Sequence, residues 1–172
     1  MDSAVTTRTE RPEDHDAIWH VNQLAFGQPN EADLVDALRA AGALTLSLVA
    51  ERDHEVVGHI AFSPVTVASP AGDFEAIGLA PLAVVPEQQR RGVGTQLVRA
   101  GLDLLGRAGH QVVIVLGHPD YYPRFGFVRA SSRGIRWEHE ADDDAFMALE
   151  LEPGALAGRV GVVRFHPAFT GV

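Results

Sequence analysis

The chain has 172 residues, of which 46% are hydrophobic, and it contains no cysteine. This length favours one domain, and this apolar content excludes disorder as the class of protein. The 14 basic and 23 acidic side chains give a net charge of −9. That charge argues against a nucleic-acid partner, because binding to phosphates needs a basic surface, and it suits a cationic or amine-bearing substrate.

The lack of cysteine also excludes disulfides, thiolate nucleophiles and Cys-based zinc or iron–sulfur sites, and it fits a reducing cytoplasm. Residues 1–8 contain no hydrophobic signal core. No apolar run in the sequence approaches the roughly 20 residues that a membrane helix needs. We therefore expect a cytoplasmic protein with no membrane partner.

The first part of the chain predicts one strand and two helices. Residues 5–11 alternate between polar and apolar side chains, which is typical of a strand. Pro12 and the two acidic residues after it predict the start of a helix, which Gly27 ends. Residues 30–41 carry apolar side chains at helical spacing, and they predict a second helix with Asn30 as its N-cap.

Three β-rich segments follow, at residues 44–51, 56–67 and 74–85. Because only short turn signals separate them, they predict an antiparallel meander. Pro64 and Pro81 lie inside the second and third segments. Since proline donates no hydrogen bond to a neighbouring strand, each predicts an edge, a bulge or a place where strands separate.

The next helix is predicted at residues 92–107, and a short apolar strand follows at 111–116. A strand–helix–strand crossover is right-handed and joins parallel strands. A helical turn is predicted at 120–125, and further strands near 135, 146–151 and 160–165. The fold class is therefore α+β, an α/β/α sandwich with a mixed, mainly antiparallel sheet. We expect residues 1–172 to form a single domain, with about 146–172 completing the sheet and forming a C-terminal extension.

The segment Gln89 to Gly94 reads Gln-Arg-Arg-Gly-Val-Gly and joins a predicted strand directly to a helix. Glycines lack Cβ atoms, so the phosphates of a ligand can approach the backbone N–H groups closely. Those N–H groups are the unpaired donors of a helix N-terminus, where the helix dipole favours anions. Arg90 and Arg91 add positive charge. The alternative is a tight turn before a packed helix, but the segment matches neither the P-loop nor the dinucleotide fingerprint.

Together with the preceding Leu82-Ala83-Val84-Val85-Pro86, this turn resembles the pyrophosphate signature of the GNAT superfamily of N-acetyltransferases. The order of elements from about Val5 to Phe127 resembles that family as well. The resemblance implies that the central strands splay apart to admit acetyl-CoA, with no metal. It assigns the pantetheine arm to the backbone of Leu82, Ala83 and Val84. It assigns the pyrophosphate to Gln89, Arg90, Arg91, Gly92, Val93, Gly94 and Thr95.

The segment Tyr121 to Phe127 reads Tyr-Tyr-Pro-Arg-Phe-Gly-Phe. It resembles the Y-x-x-x-G-F segment of the same family, with Tyr122 in the tyrosine position, and a branch of predicted bacterial N-acetyltransferases that carries Y-Y-x-R-F-G-F. The resemblance implies that Tyr122 is a general acid toward the departing thiolate, a role compatible with a phenol pKa of about 10. The alternative is an aromatic cluster that only packs. Many members carry a cofactor-binding Asn just before this segment, where this chain has residues 117–120 without one.

The general base that deprotonates the acceptor amine stays open between His59, His118 and Glu75. Each has a structural alternative: a buried hydrogen-bonded histidine, a helix cap and a solvated side chain, respectively. By resemblance, the Val84 N–H stabilises the oxyanion. The acidic run at 138–144 predicts a solvated loop, with an acidic rim that attracts an amine, or a weak divalent-ion site, as alternatives.

The expected function is direct transfer of an acetyl group from acetyl-CoA to a primary amine in a ternary complex, because no thiol is present to form an acyl-enzyme. The main alternative is a non-catalytic acyl-CoA-binding module on the same fold. Another is an interaction domain whose basic turn binds a different phosphate ligand. The acceptor, a small molecule or a protein, and the length of the acyl chain stay open, and exposed strands are compatible with a homodimer.

Overall fold

The computed structural model describes residues 3–170 and residue 172. The α-helices of this part are α1 (His15–Phe26), α2 (Asn30–Ala40) and α3 (Val93–Arg107). Its strands are β1 (Thr6–Thr9), β2 (Leu46–Arg52), β3 (Glu55–Ala68), β4 (Phe74–Val84), β5 (Val112–Leu116), β6 (Val128–Arg129), β7 (Ile135–Trp137), β8 (Phe146–Glu150) and β9 (Gly161–Arg164). No helix among these described residues combines the length and the apolar character needed to cross a bilayer.

The described strands form one mixed sheet in the order β1-β2-β3-β4-β5-β8-β6, with β9 paired to β3 and to β7. The pairs β1–β2, β2–β3, β3–β9, β5–β8 and β6–β8 are antiparallel. Strands β4 and β5 are parallel and pair at Ile77–Val113 and Gly78–Ile114. These pairings confirm the expected mixed, mainly antiparallel sheet and the parallel crossover through α3.

The chain divides into two compact units. The first unit comprises Met1–Ser63, Ala80–Leu104 and Pro167–Val172, and the second comprises Pro64–Leu79 and Leu105–His166. Strands β3 and β4 therefore contribute residues to both units. The two strand prolines lie at these divisions, since Pro64 is the first residue of the second unit and Pro81 follows Ala80.

In the first unit, helices cover both faces of β3. A Cβ atom on Gly58 would lie 3.0 Å from the side chains of Val93 and Leu97, so this position faces α3. The next residue, His59, contacts Asn22 of α1 through its ring. Because successive residues of a strand point to opposite faces, α1 and α3 lie on opposite sides of β3.

The end of the chain also belongs to the first unit. Ala168 and Phe169 pack against a buried cluster formed by Leu34, Leu38 and Ala43, which covers an apolar face of α2. Burial of apolar area of this kind stabilises the unit by about 25 cal/mol per Å². Ala168 and Phe169 therefore shield an apolar face of α2 from solvent.

In the second unit, the core is formed by residues of β3, β4, β5, β8 and β9, with Val67, Ile114, Ala148 and Val163 among its buried residues. Trp137 closes one side of this core by stacking on Phe146, with ring centroids 6.2 Å apart.

Two details differ from the sequence-based prediction. The N-cap of α2 is Pro29, because its carbonyl oxygen accepts the first helical hydrogen bond, from the N–H of Asp33, and Asn30 is the first helical residue. The strand β6 has only two residues and was not predicted, since so short a segment carries no periodicity.

Candidate functional site

The turn between β4 and α3 has an unusual backbone. Arg90 has a φ of 62° and Gly92 a φ of 84°, both in the left-handed region. A Cβ atom on Gly92 would meet nothing within 4 Å, so the space beside it is open. The N–H of Gln96 donates to the carbonyl oxygen of Gly92 at 3.0 Å, which begins the helical hydrogen bonds. The N–H groups of the residues between them therefore lie at the N-terminus of α3.

The side chains of this turn divide into anchors and exposed groups. Val93 is buried, and it faces the position of Gly58. The Gln89 side-chain amide donates to the carbonyl oxygen of Val84 at 2.9 Å, which ties the turn to the end of β4. Arg90 and Arg91 are exposed. The N–H groups at the helix N-terminus and the two guanidinium groups are hydrogen-bond donors, and the open space beside Gly92 lets a phosphate approach them. Together they fit a pyrophosphate.

The strand residues expected to bind pantetheine lie in the first unit with the turn. Leu82 and Val84 are half-buried, and Ala83 is buried. The N–H of Val85 donates to the carbonyl oxygen of Val57 at 3.0 Å, which holds the end of this segment beside β3. The first unit therefore contains all the residues to which the resemblance assigns the pantetheine arm and the pyrophosphate.

Tyr122 lies in the second unit, at the start of a 3-10 turn that spans Tyr122–Phe125. Its side chain is 6% exposed and packs edge-on against the rings of Tyr121 and Phe127, with centroid distances of 5.2 and 5.7 Å. Burial raises the pKa of the Tyr122 phenol above its ordinary value, and the neighbouring Tyr121 adds to this. The phenol is therefore protonated at neutral pH and able to donate a hydrogen bond.

His59 is fully buried in the first unit. Its Nε2 lies 2.8 Å from the Oγ of Ser47, and its Nδ1 lies 3.1 Å from the Nδ2 of Asn22. Because that Nδ2 also donates to the carbonyl oxygen of Ile18, the ring Nδ1 is the acceptor and Nε2–H the donor. Burial, assisted by the charge of Arg39, lowers the pKa of His59 to about 3. His59 is thus a neutral histidine that supports the core, and we do not retain it as the base.

The two other base candidates, His118 and Glu75, are exposed residues of the second unit. The backbone carbonyl of His118 accepts hydrogen bonds from the N–H groups of Tyr121 and Tyr122, at 3.1 and 3.4 Å. His118 therefore supports the tyrosine segment through its main chain.

The acidic run of the second unit is engaged in local contacts. Asp144 forms an ion pair with Arg129 at 2.5 Å, and Glu138 lies 3.9 Å from Arg164. Asp142 accepts a hydrogen bond from the N–H of Asp144. Within residues 3–170 and 172, no group of three or more His, Asp or Glu side chains is placed to hold a metal ion.

A cavity of about 440 Å³ in the first unit was not predicted from the sequence. Its walls come from β1, the 3-10 turn Pro12–Asp14, α1, the hairpin of β2 and β3, and Val85. The residues that form them are Arg8, Glu13, Asp14, Ala17, His20, Val21, Leu24, Glu51, His54, Glu55, Val56 and Val85. Arg8 contacts Asp14 at 2.7 Å and Glu51 at 2.9 Å. The hydrogen bond from Arg8 holds the pKa of the Asp14 carboxyl below its ordinary value. Four carboxylates and one arginine give the cavity a net negative charge.

Comparison with known sequences shows the family to which this chain is similar. Residues 6–130 match the family model described as an acetyltransferase (GNAT) domain. The chain is 40% identical over 163 residues to the uncharacterized N-acetyltransferase YhbS of Escherichia coli, with 94% of this chain and 96% of that protein covered. It is 44% identical over 152 residues to the uncharacterized N-acetyltransferase YjhQ of the same species, with 83% of each covered.

Solved structures extend the likeness to the fold. The crystal structure of Escherichia coli YhbS in complex with CoA matches with a TM-score of 0.92 and 37% identity, covering 99% of this chain and 94% of that one. A GNAT family acetyltransferase from Brucella melitensis in complex with acetyl-CoA matches with a TM-score of 0.79 and 40% identity, covering 97% and 99%. The chain therefore belongs to the GNAT family of acetyltransferases.

Proposed function

We propose that this protein is an N-acetyltransferase that transfers an acetyl group from acetyl-CoA to a primary amine by direct transfer in a ternary complex. The observation that carries the proposal is the exposed turn at the N-terminus of α3, with its left-handed Gly92 and its two arginines. The CoA and acetyl-CoA bound to the two similar structures support the choice of donor.

The chain's own residues would bind acetyl-CoA at two of its parts, the pyrophosphate and the pantetheine arm. The N–H groups at the start of α3, with Arg90 and Arg91, would bind the pyrophosphate. The backbone of Leu82, Ala83 and Val84 would pair with the pantetheine arm, and the Val84 N–H would face the carbonyl oxygen of the thioester. Gln89 would act indirectly, because its side chain holds the end of β4.

In the proposed reaction the lone pair of the amine forms a bond to the thioester carbonyl carbon, and the bond from that carbon to sulfur breaks. Val84 N–H stabilises the negative oxygen of the tetrahedral intermediate. Tyr122 donates its phenolic proton to the departing thiolate and regains a proton from the amine nitrogen through solvent. The products are the acetylated amine and free CoA. Because burial makes the phenol a weaker acid, its first contribution is the hydrogen bond to the sulfur as charge develops.

An amine fits the charge of the protein better than an anionic acceptor does. The net charge is −9, and the cavity beside Val85 carries more carboxylates than cations. We also propose a cytoplasmic location, which the lack of cysteine supports. A non-catalytic acyl-CoA-binding module is the alternative. Such a module would need no acid at the sulfur, so the proposed role of Tyr122 counts against it.

The donor site is tested by isothermal titration of acetyl-CoA into the wild type and Gly92→Glu. We expect micromolar binding that Gly92→Glu abolishes, because the new carboxylate would repel the pyrophosphate. The matched control is Gly109→Glu, since Gly109 also has a positive φ and open space around it but lies after α3. Folded wild-type protein that binds no acetyl-CoA would refute the proposal.

Catalysis is tested with Tyr122→Phe in an assay of thiol release over a panel of amines. We expect kcat to fall by about 100-fold or more, the usual contribution of a general acid. The Kd for acetyl-CoA should stay unchanged, because only the hydroxyl is lost. Full activity of Tyr122→Phe at every pH would refute the acid role, and a lack of thiol release with every amine would favour the binding module.

A further inference from the structure

Gly117 lies directly after β5 and faces the ring of Tyr122. A Cβ atom at Gly117 would lie 2.4 Å from Cε2, 2.9 Å from Cδ2 and 3.3 Å from Cζ of that ring. The optimal separation of two carbon atoms is about 3.5–4.0 Å, so even a methyl group at this position does not fit. The closest approaches include Cζ, the carbon that bears the hydroxyl group.

Both sides of this contact are held in place by other contacts. The N–H of Gly117 donates to the carbonyl oxygen of Ala145 at 2.9 Å, which fixes the backbone. The Tyr122 ring packs against Tyr121 and Phe127, and its centroid lies 6.4 Å from that of Phe125. A side chain at position 117 would therefore push the ring, together with its hydroxyl group, out of the position that these neighbours define.

We propose that Gly117 is a positioning residue that sets the location of the Tyr122 hydroxyl for acyl transfer. The inference rests on the proposed role of Tyr122 as acid. Restoring ordinary contact would move the ring by about 1 Å, and a displacement of that size costs a catalytic group about 100-fold in rate. The absence of a side chain at Gly117 is thus required for the reaction as well as for packing.

The kinetic test compares Gly117→Ala in the wild type and in Tyr122→Phe. We expect Gly117→Ala to lower kcat about 100-fold with the KM for acetyl-CoA unchanged, and to lower it less than about threefold once the hydroxyl is gone, because groups that act together are not additive. The matched control is Gly106→Ala, which adds the same methyl group where nothing lies within 4 Å and should leave kcat unchanged. Equal losses in both backgrounds, or full activity of Gly117→Ala, would overturn the inference.

A spectroscopic test does not depend on activity. The chain has two tyrosines, so protein labelled with 3-fluorotyrosine should give two ¹⁹F resonances, and Tyr121→Phe assigns them. We expect Gly117→Ala to shift the Tyr122 resonance while circular dichroism confirms a folded chain. An unshifted resonance would refute the displacement, and an unfolded variant would mean that position 117 acts through stability alone.

The outcomes separate this inference from the proposed function. If Tyr122→Phe retains the full rate, the acid role fails whatever the ¹⁹F spectrum shows. If Tyr122→Phe is slow and Gly117→Ala is as active as the wild type, the proposed function stands and the positioning role fails.

Discussion

At the scale of single residues, His59 is a titratable group of the first unit that is completely buried. Both ring nitrogens are hydrogen-bonded, to Ser47 and Asn22, and no part of the residue reaches solvent. A charged imidazolium would lose the hydrogen bond that Nδ1 accepts, would be removed from water and would be disfavoured by the charge of Arg39. The folded state therefore keeps His59 neutral down to a pKa of about 3.

This depressed pKa predicts a pH-dependent stability. The unfolded histidine titrates near 6.5, so its stabilising effect is complete above that pH and is lost as the pH falls toward 3. Within that window the free energy of unfolding should fall by about 1.4 kcal/mol per pH unit on account of this group. We expect His59→Gln, which cannot take up the proton, to show a shallower dependence in urea unfolding between about pH 6 and pH 4.

The control for this prediction is His54→Gln, because the His54 side chain is 99% exposed. It should keep the wild-type slope. The assignment would be wrong if His59→Gln and the wild type lost stability in parallel over this range.

At the scale of elements, α3 has two tasks: its N-terminus forms the candidate phosphate site, and its body packs on β3. The packing is closest at Gly101, where a Cβ atom would lie 2.4 Å from Cε2 of Phe62. Phe62 is fully buried and has no room to move. The position of the phosphate site thus depends on a glycine two turns further along the helix.

We expect Gly101→Ala to destabilise the protein by about 1–3 kcal/mol, the usual cost of overpacking. Gly106→Ala on the same helix meets nothing within 4 Å and should stabilise by up to about 1 kcal/mol, since alanine is the better helix former. Urea unfolding of both variants measures the difference. Equal stability of the two would show that α3 and β3 are free to separate at this contact.

At the scale of the whole molecule, the net charge of −9 should influence the encounter with the acceptor. At saturating acetyl-CoA, we expect kcat/KM for a cationic alkylamine to fall when the Debye length is shortened from about 30 Å at 0.01 M salt to about 8 Å at 0.15 M. An arylamine, uncharged at neutral pH, should show little change under the same conditions. If kcat/KM for both amines depended equally on salt, the charge of the protein would not determine which acceptor it prefers.

The turn from Gln89 to Gly94 and the order of the helices and strands were predictable, because they depend on residues that are adjacent in the chain. Apolar spacing of 3–4 residues defined α1, α2 and α3, and the turn residues lie in one contiguous segment. The acidic cavity was not predictable, since Arg8, Asp14 and Glu51 come from three separate elements. The packing of Phe169 against Leu34 and Leu38 of α2 was not predictable for the same reason, because these residues are distant in the chain.

The sequence by itself thus determined the fold class, the helix–strand order and the glycine-rich turn, because periodicity and backbone freedom are local properties. Only the tertiary structure decided that His59 is a neutral core residue and that the Tyr122 phenol is buried and protonated. It alone placed Gly117 against the Tyr122 ring. Burial and close packing depend on residues that are distant in the chain, and they set the pKa values and the positions on which the proposed chemistry depends.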